Sequence, residues 1–264
     1  MYLKMINRFL IALSFLTVLP LKFKEINEKE LIRSIIFFPF IGFLEGVFCI
    51  FLVNIFKQIF SSSVISIILL VFLFSVRGIF HIDGLSDTFD ALFYKGTGQK
   101  EKDLQQRLQI MKDSTVGVAG AVVLVLDVLC RFAFVKELID INQFLIFLFM
   151  FCFSRWIVIP LMYSGKPART TGLGVLFIGK ISSWQLIIST VLPAFLLVYF
   201  TIEKNFIFLP LIALFLFFIS YILKKFFERK FNGITGDHLG ATVEITEIVF
   251  LICFLLGEKL WLSY

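Results

Sequence analysis

Seven stretches of about twenty apolar residues run through this chain, and they leave it few folds. They cover 34–56, 59–80, 116–135, 142–163, 183–202, 206–223 and 241–257. At about 1.5 Å of rise per residue, each is long enough as a helix to cross a hydrocarbon core about 30 Å thick. Segments such as IFLFMFCF are apolar on every side and lack the alternation of a membrane strand, so helices are expected. With 36 Phe among 264 residues and a mean hydropathy of +0.96, a water-facing surface could not be built. The fold expected is all-α, a polytopic transmembrane helix bundle of about seven spans forming a single integral membrane domain over residues 1–264. The first twenty residues add an N-terminal helix that is interfacial or half-inserted. Residues 9–19 are short for a crossing, Asn7, Arg8 and Pro20 interrupt them, and no small-residue cleavage site follows.

Charge orients the bundle. With seven spans and a cytoplasmic N-terminus, the outside retains only Lys57, Lys136, Lys204 and Lys259 of the 25 Lys and Arg. Arg131 and Arg155 fall within spans. All others, including Lys22, Lys24, Arg33, Lys95 and the KKFFERK run, lie inside, as the positive-inside rule requires. The net charge of +6 is therefore a membrane signature and not a nucleic-acid one, because basic residues are not interleaved with exposed aromatics. Cys49, Cys130, Cys152 and Cys253 lie in apolar windows as small packing residues.

The sharpest polar feature is His81-Ile-Asp83-Gly84-Leu-Ser-Asp87-Thr88-Phe-Asp90. Carboxylates at i, i+4 and i+7 share one helix face, where they repel one another unless a cation joins them. Oxygen-only ligands favour Mg²⁺ or Mn²⁺. A solvated acidic helix end is the alternative. A second set, Asp237, Glu244 and Glu247, recurs at helical spacing at the start of the last span, on the same side of the membrane. The helix macrodipole accounts for Asp237 but not for Glu247, about two turns deeper.

Two polar stretches, 95–115 and 164–182, are loop candidates. The first places Lys112, Asp113 and Ser114 ahead of a span opening at Gly117, which makes either an anion site at a helix N-terminus or an ordinary N-cap. The second carries Arg169, Gly172, Gly174 and Lys180, a donor-rich loop or a plain turn. Inside the membrane, Asp127 and Arg131 are spaced to pair with each other. Arg155 has no local partner and should point into the bundle, toward Asp90, Glu247 or a substrate phosphate. Glu45 stays unassigned. His81 and His238, with no cysteines nearby, are expected to hydrogen-bond at helix ends and not to hold zinc.

Phe38-Pro39-Phe-Ile-Gly42, the His81–Asp90 segment, Ile110-Met-Lys112-Asp113-Ser114 with Gly117, Arg155, Gly172-Leu-Gly174 with Phe177-Ile-Gly179-Lys180, and Thr235-Gly236-Asp237 with Leu239-Gly240-Ala241 and Glu244 follow one another in a recognisable order. Together they resemble the cobalamin synthase (adenosylcobinamide-GDP ribazoletransferase) family along nearly the whole chain. Ala91 stands where that family usually has Gly, and Glu45 and Asp127 lie outside its pattern.

The resemblance implies transfer of adenosylcobinamide phosphate from its GDP-activated form to a ribose hydroxyl of α-ribazole or α-ribazole 5′-phosphate, with release of GMP. The work would be done at the cytoplasmic face of a bacterial inner membrane. On this reading Asp83, Asp87, Asp90, Asp237 and Glu244 hold one or two Mg²⁺. Lys112, Arg155, Arg169 and Lys180 neutralise phosphate, Asp113 is the candidate base, and His81, Ser114, Gly172 and Gly174 contact substrate. A homo-oligomer or a complex with other cobalamin-assembly enzymes is left open. The rival readings are a CDP-alcohol phosphotransferase, which also sets Asp clusters on membrane helices, and a cation-coupled transporter using Glu45, Asp127, Arg131 and Arg155 as an ion path.

Overall fold

A computed structural model describes residues 2–21 and 27–261, so Lys22 and Lys24 lie outside the described residues. In chain order the α-helices are α1 (Tyr2–Leu16), α2 (Glu28–Ser34), α3 (Phe38–Phe56), α4 (Ser62–Arg77), α5 (Phe80–Phe93), α6 (Lys100–Ile110), α7 (Val118–Asp140), α8 (Phe147–Ser164), α9 (Ser183–Ile202), α10 (Leu209–Phe231) and α11 (Gly236–Trp261). Six helical stretches are long and apolar enough to cross a membrane, and α4 with α5 makes a seventh if that bent pair is one span. The chain is thus an all-helical, multi-pass membrane bundle.

The apolar windows become helices because, without water, the backbone can satisfy its polar groups only internally. α8 lies at the centre, and even its Arg155 is buried. It meets α3 backbone to backbone at Gly46, where an added Cβ would stand 2.7 Å from the Phe147 carbonyl oxygen. This small-residue approach is how helices associate where lipid removes the hydrophobic drive.

Two expectations need correcting. The window 59–80 is not one straight span. Its helix stops after 16 residues at Arg77, and across Gly78, at φ 67°, the chain turns by 90° into α5. Nor is 95–115 an unstructured loop, since it contains α6. Asp103 fixes the approach to α6: the Thr97 amide, the Thr97 hydroxyl and the Gly98 amide donate to its carboxylate and hold it below the usual carboxylate range.

The two ends of the bundle differ in content. At one, Lys57 lies over the Phe144 ring and Gln143 donates to Glu258 at 2.8 Å. At the other gather α5, the start of α7, the 165–182 connection and the start of α11. There Ala168 and Ile234 are joined by a backbone hydrogen bond of 2.9 Å, which ties the 165–182 connection to the α10–α11 turn. α1 packs on α2 through Arg8, which donates to Glu30 at 2.6 Å.

Candidate functional site

The acidic helix α5 lies directly on the first turns of α11. The contact depends on Gly84, where a Cβ would stand 2.7 Å from the Asp237 carbonyl oxygen. Two helices distant in sequence thereby bring their carboxylates together: Asp87 has Asp83, Asp237 and Asp90 as electrostatic neighbours, with Arg169 as an opposing charge. Arg169 Nη1 stands 3.2 Å from Asp237 Oδ2, out of hydrogen-bond alignment, and Arg169 Nη2 donates to the Leu108 carbonyl at the end of α6.

Asp90 is engaged differently. Its Oδ2 accepts the Gly117 amide at 2.7 Å and its Oδ1 the Gly120 amide at 2.8 Å. The chain's own carboxylate therefore occupies the N-terminus of α7, which the sequence suggested as a place for a substrate anion. Lys112, Asp113 and Ser114 are exposed beside it, and Asp113 Oδ1 accepts the Thr115 amide at 3.1 Å. Asp90 and Asp113 also edge an apolar groove of about 790 Å³ between α5 and α7.

A cavity of about 450 Å³ opens beside the first turn of α5. One part of its wall is charged, with His81, Asp83, Arg155, Arg169 and Asp237. The other is apolar, with Phe15, Phe38 and Phe177 in mutual ring contact. Gly172, at φ 108°, and Gly174, packed on the Gly236 amide, form its rim. Lys180 pairs with Glu28 near the surface and is not among the residues lining the cavity.

Below the cavity, seven buried ionisable side chains from five helices bond to one another. Arg77 donates to Glu45 Oε2 at 2.7 and 3.0 Å and to Glu247 Oε2 at 3.0 Å. Arg155 donates to Glu45 Oε2 at 3.0 Å and to Glu247 Oε1 at 3.4 Å. Arg131 donates to Asp127 at 2.8 Å, to Glu247 at 2.6 Å, and to Glu244. Each charge has opposing partners, without which burial would be costly.

A family model described as Cobalamin-5-phosphate synthase matches residues 8–255. The chain belongs to the cobalamin-5-phosphate synthase family. An adenosylcobinamide-GDP ribazoletransferase of Thermodesulfovibrio yellowstonii is 98% identical over 260 residues, which are 98% of this chain and 100% of that protein. The protein of the same name in Clostridioides difficile is 33% identical over 256 residues, 93% of this chain and 96% of its own. That of Thermoanaerobacter pseudethanolicus is 30% identical over 257 residues, 94% and 97% of the two chains. No solved structure matches.

Within the chain, the residues expected to act together divide into two groups. Asp83, Asp87, Asp237 and Arg169 meet, with His81, Arg155, Gly172 and Gly174 around the adjoining cavity. Glu244 departs from its expected place as a metal ligand: it pairs with Arg131 among the buried charges, because its position two turns into α11 carries it below the cavity. Asp90 is taken up by the α7 amides. Sequence reasoning missed Arg77, which was counted with the cytoplasmic charges yet is buried and stacked over Phe151 at 4.7 Å. Its one signal was a cation closing an apolar window. His238 fulfils its expectation, its Nδ1 accepting the Thr235 amide at 3.1 Å while its ring stacks on Phe227.

Proposed function

We propose that this chain joins adenosylcobinamide-GDP to α-ribazole, or to α-ribazole 5′-phosphate, and releases GMP, working at the cytoplasmic face of a bacterial inner membrane. The observation that carries the reading is near-identity, along 98% of the chain, to a protein named for that transfer. In the reaction the acceptor hydroxyl oxygen bonds to the phosphorus that bears the cobinamide. The pyrophosphate bond breaks, GMP leaves with the bridging oxygen, and the hydroxyl proton passes to a carboxylate, for which Asp113 at the groove edge is our candidate. Such transfer needs positioning and charge neutralisation more than covalent help from the protein.

The residues present fit a magnesium ion. Asp83, Asp87 and Asp237 offer only oxygens, and buried Asp237 Oδ2 has the Arg169 guanidinium 3.2 Å away but no aligned hydrogen bond among the described residues. Among the described residues no three His, Cys, Asp or Glu side chains enclose an ion by themselves. Mg²⁺ is commonly held by one or two carboxylates and completes its shell with water and substrate phosphates, so this donor set suits it. When bound, it would neutralise pyrophosphate charge. Arg155 and Arg169 would take phosphate oxygens in the cavity, and Lys112 and Lys180 would supply positive charge at the surface. Purified protein supplied with both substrates and Mg²⁺ should release GMP, measured by chromatography. A chelator should stop the release and added Mg²⁺ should restore it, and release that persists in chelator would refute the metal.

A further inference from the structure

Arg155 is 1% exposed and lies at the floor of the charged cavity. Its aliphatic stem rests on Gly42 of α3, too close for a Cβ there. Both terminal nitrogens are committed, Nη2 to Glu45 and Nη1 to Glu247. Its Nε is buried and has no hydrogen-bond partner among the described residues. A buried guanidinium N–H left unsatisfied at a cavity wall is costly unless an acceptor arrives there.

Glu45 is itself clamped. Arg77 donates to it twice and reaches on to Glu247, so that Arg155, Glu45, Arg77 and Glu247 close a ring through four helices. Two donations to carboxylates on different helices thus fix the rotation of the Arg155 fork and leave Nε as the unpaired edge of a residue that lines the cavity. A fork held on two sides loses little freedom when it binds a phosphate, which is how preorganisation raises affinity.

We infer that Glu45 and Arg77 are positioning residues for the transfer: they hold Arg155 with its Nε–H free for a phosphate oxygen of the nucleotide-activated substrate. The inference rests on the proposed reaction but can be tested apart from it. The buried set contains three guanidiniums and four carboxylates, so Glu45→Gln leaves three of each and no stranded positive charge. The fold should survive at a lower Tm, because Arg77 and Arg155 lose one charged acceptor but keep Glu247.

The experiment is a double-substitution cycle in detergent or nanodiscs with Glu45→Gln, Arg155→Lys and the pair. The KM for adenosylcobinamide-GDP, kcat, GDP affinity and Tm are read for each. Lysine retains a charge but has no Nε–H at that place. Glu45→Gln should raise the KM for the nucleotide substrate and weaken GDP binding about tenfold, the size of one charge-assisted hydrogen bond. The KM for α-ribazole should not move. In the Arg155→Lys background the same change should have little further effect, because Glu45 acts through Arg155. Equal effects in both backgrounds, an unchanged GDP affinity in Glu45→Gln, or a loss that follows Tm alone would overturn the inference. If the unaltered protein releases no GMP, the reaction is wrong, and GDP binding across the cycle still decides the role of Glu45.

Discussion

Asp87 has three other carboxylates as neighbours and Arg169 as its opposing charge, so its negative charge has a use only when a cation is shared. Replacing it by Asn keeps the shape and removes the charge. Asp87→Asn should reduce GMP release below detection while the protein still inserts in the membrane, and a fully active variant would remove Asp87 from the site. Gly120 tests a different point. A Cβ there falls on Asp90 and on the Ser86 hydroxyl, so Gly120→Ala must push Asp90 off the α7 amides. Such overpacking costs about 1–3 kcal/mol. The expected outcome is a lower Tm and slower GMP release, whereas an unchanged kcat would show that Asp90 need not stay on α7. The grouping of Asp83, Asp87 and Asp237 was legible in the sequence, because helical spacing and a shared membrane side suffice to infer it. The partners of Arg77 were not: Glu45 is 32 residues away and Glu247 is 170, and nothing local signals either bond.

At the scale of elements, α6 is a strut outside the membrane. Its Arg107 donates to the Ala91 carbonyl, to Leu92 at 2.9 Å and to Tyr94 at 2.8 Å, closing the carbonyl end of the acidic helix. Arg169 donates to the Leu108 carbonyl, the next residue of the same strut. A cation at a helix C-terminus stabilises it through both the dipole and the hydrogen bonds. Arg107→Ala should therefore speed deuterium exchange in the last turn of α5 and leave α9 unchanged; equal exchange in both proteins would deny the strut its role. The existence of α5 could be read from its spacing of Asp residues. Its 90° turn from α4 could not, because Gly78 and Ile79 interrupt the apolar pattern without stating a direction.

For the whole molecule, apolarity alone gives the number of candidate spans to within the one bent pair, since lipid permits little else. Charge predicts an orientation, and it can be measured. With cysteines placed at Lys57 and at Lys180, an impermeant maleimide added to intact cells should label the first and spare the second. The reverse pattern would turn the protein over and face the site outward. The ring of buried charges also bears on how the molecule is made. Glu45 and Arg77 emerge within one hairpin and can neutralise each other early, as Asp127 and Arg131 can within one helix. Glu247, which all three arginines share, belongs to α11, which follows their helices in the chain. A chain stalled before α11 would have to harbour arginines lacking their common acceptor, so the quality of this bundle is decided when α11 arrives, and truncations that remove it should be cleared by membrane proteases rather than linger partly assembled.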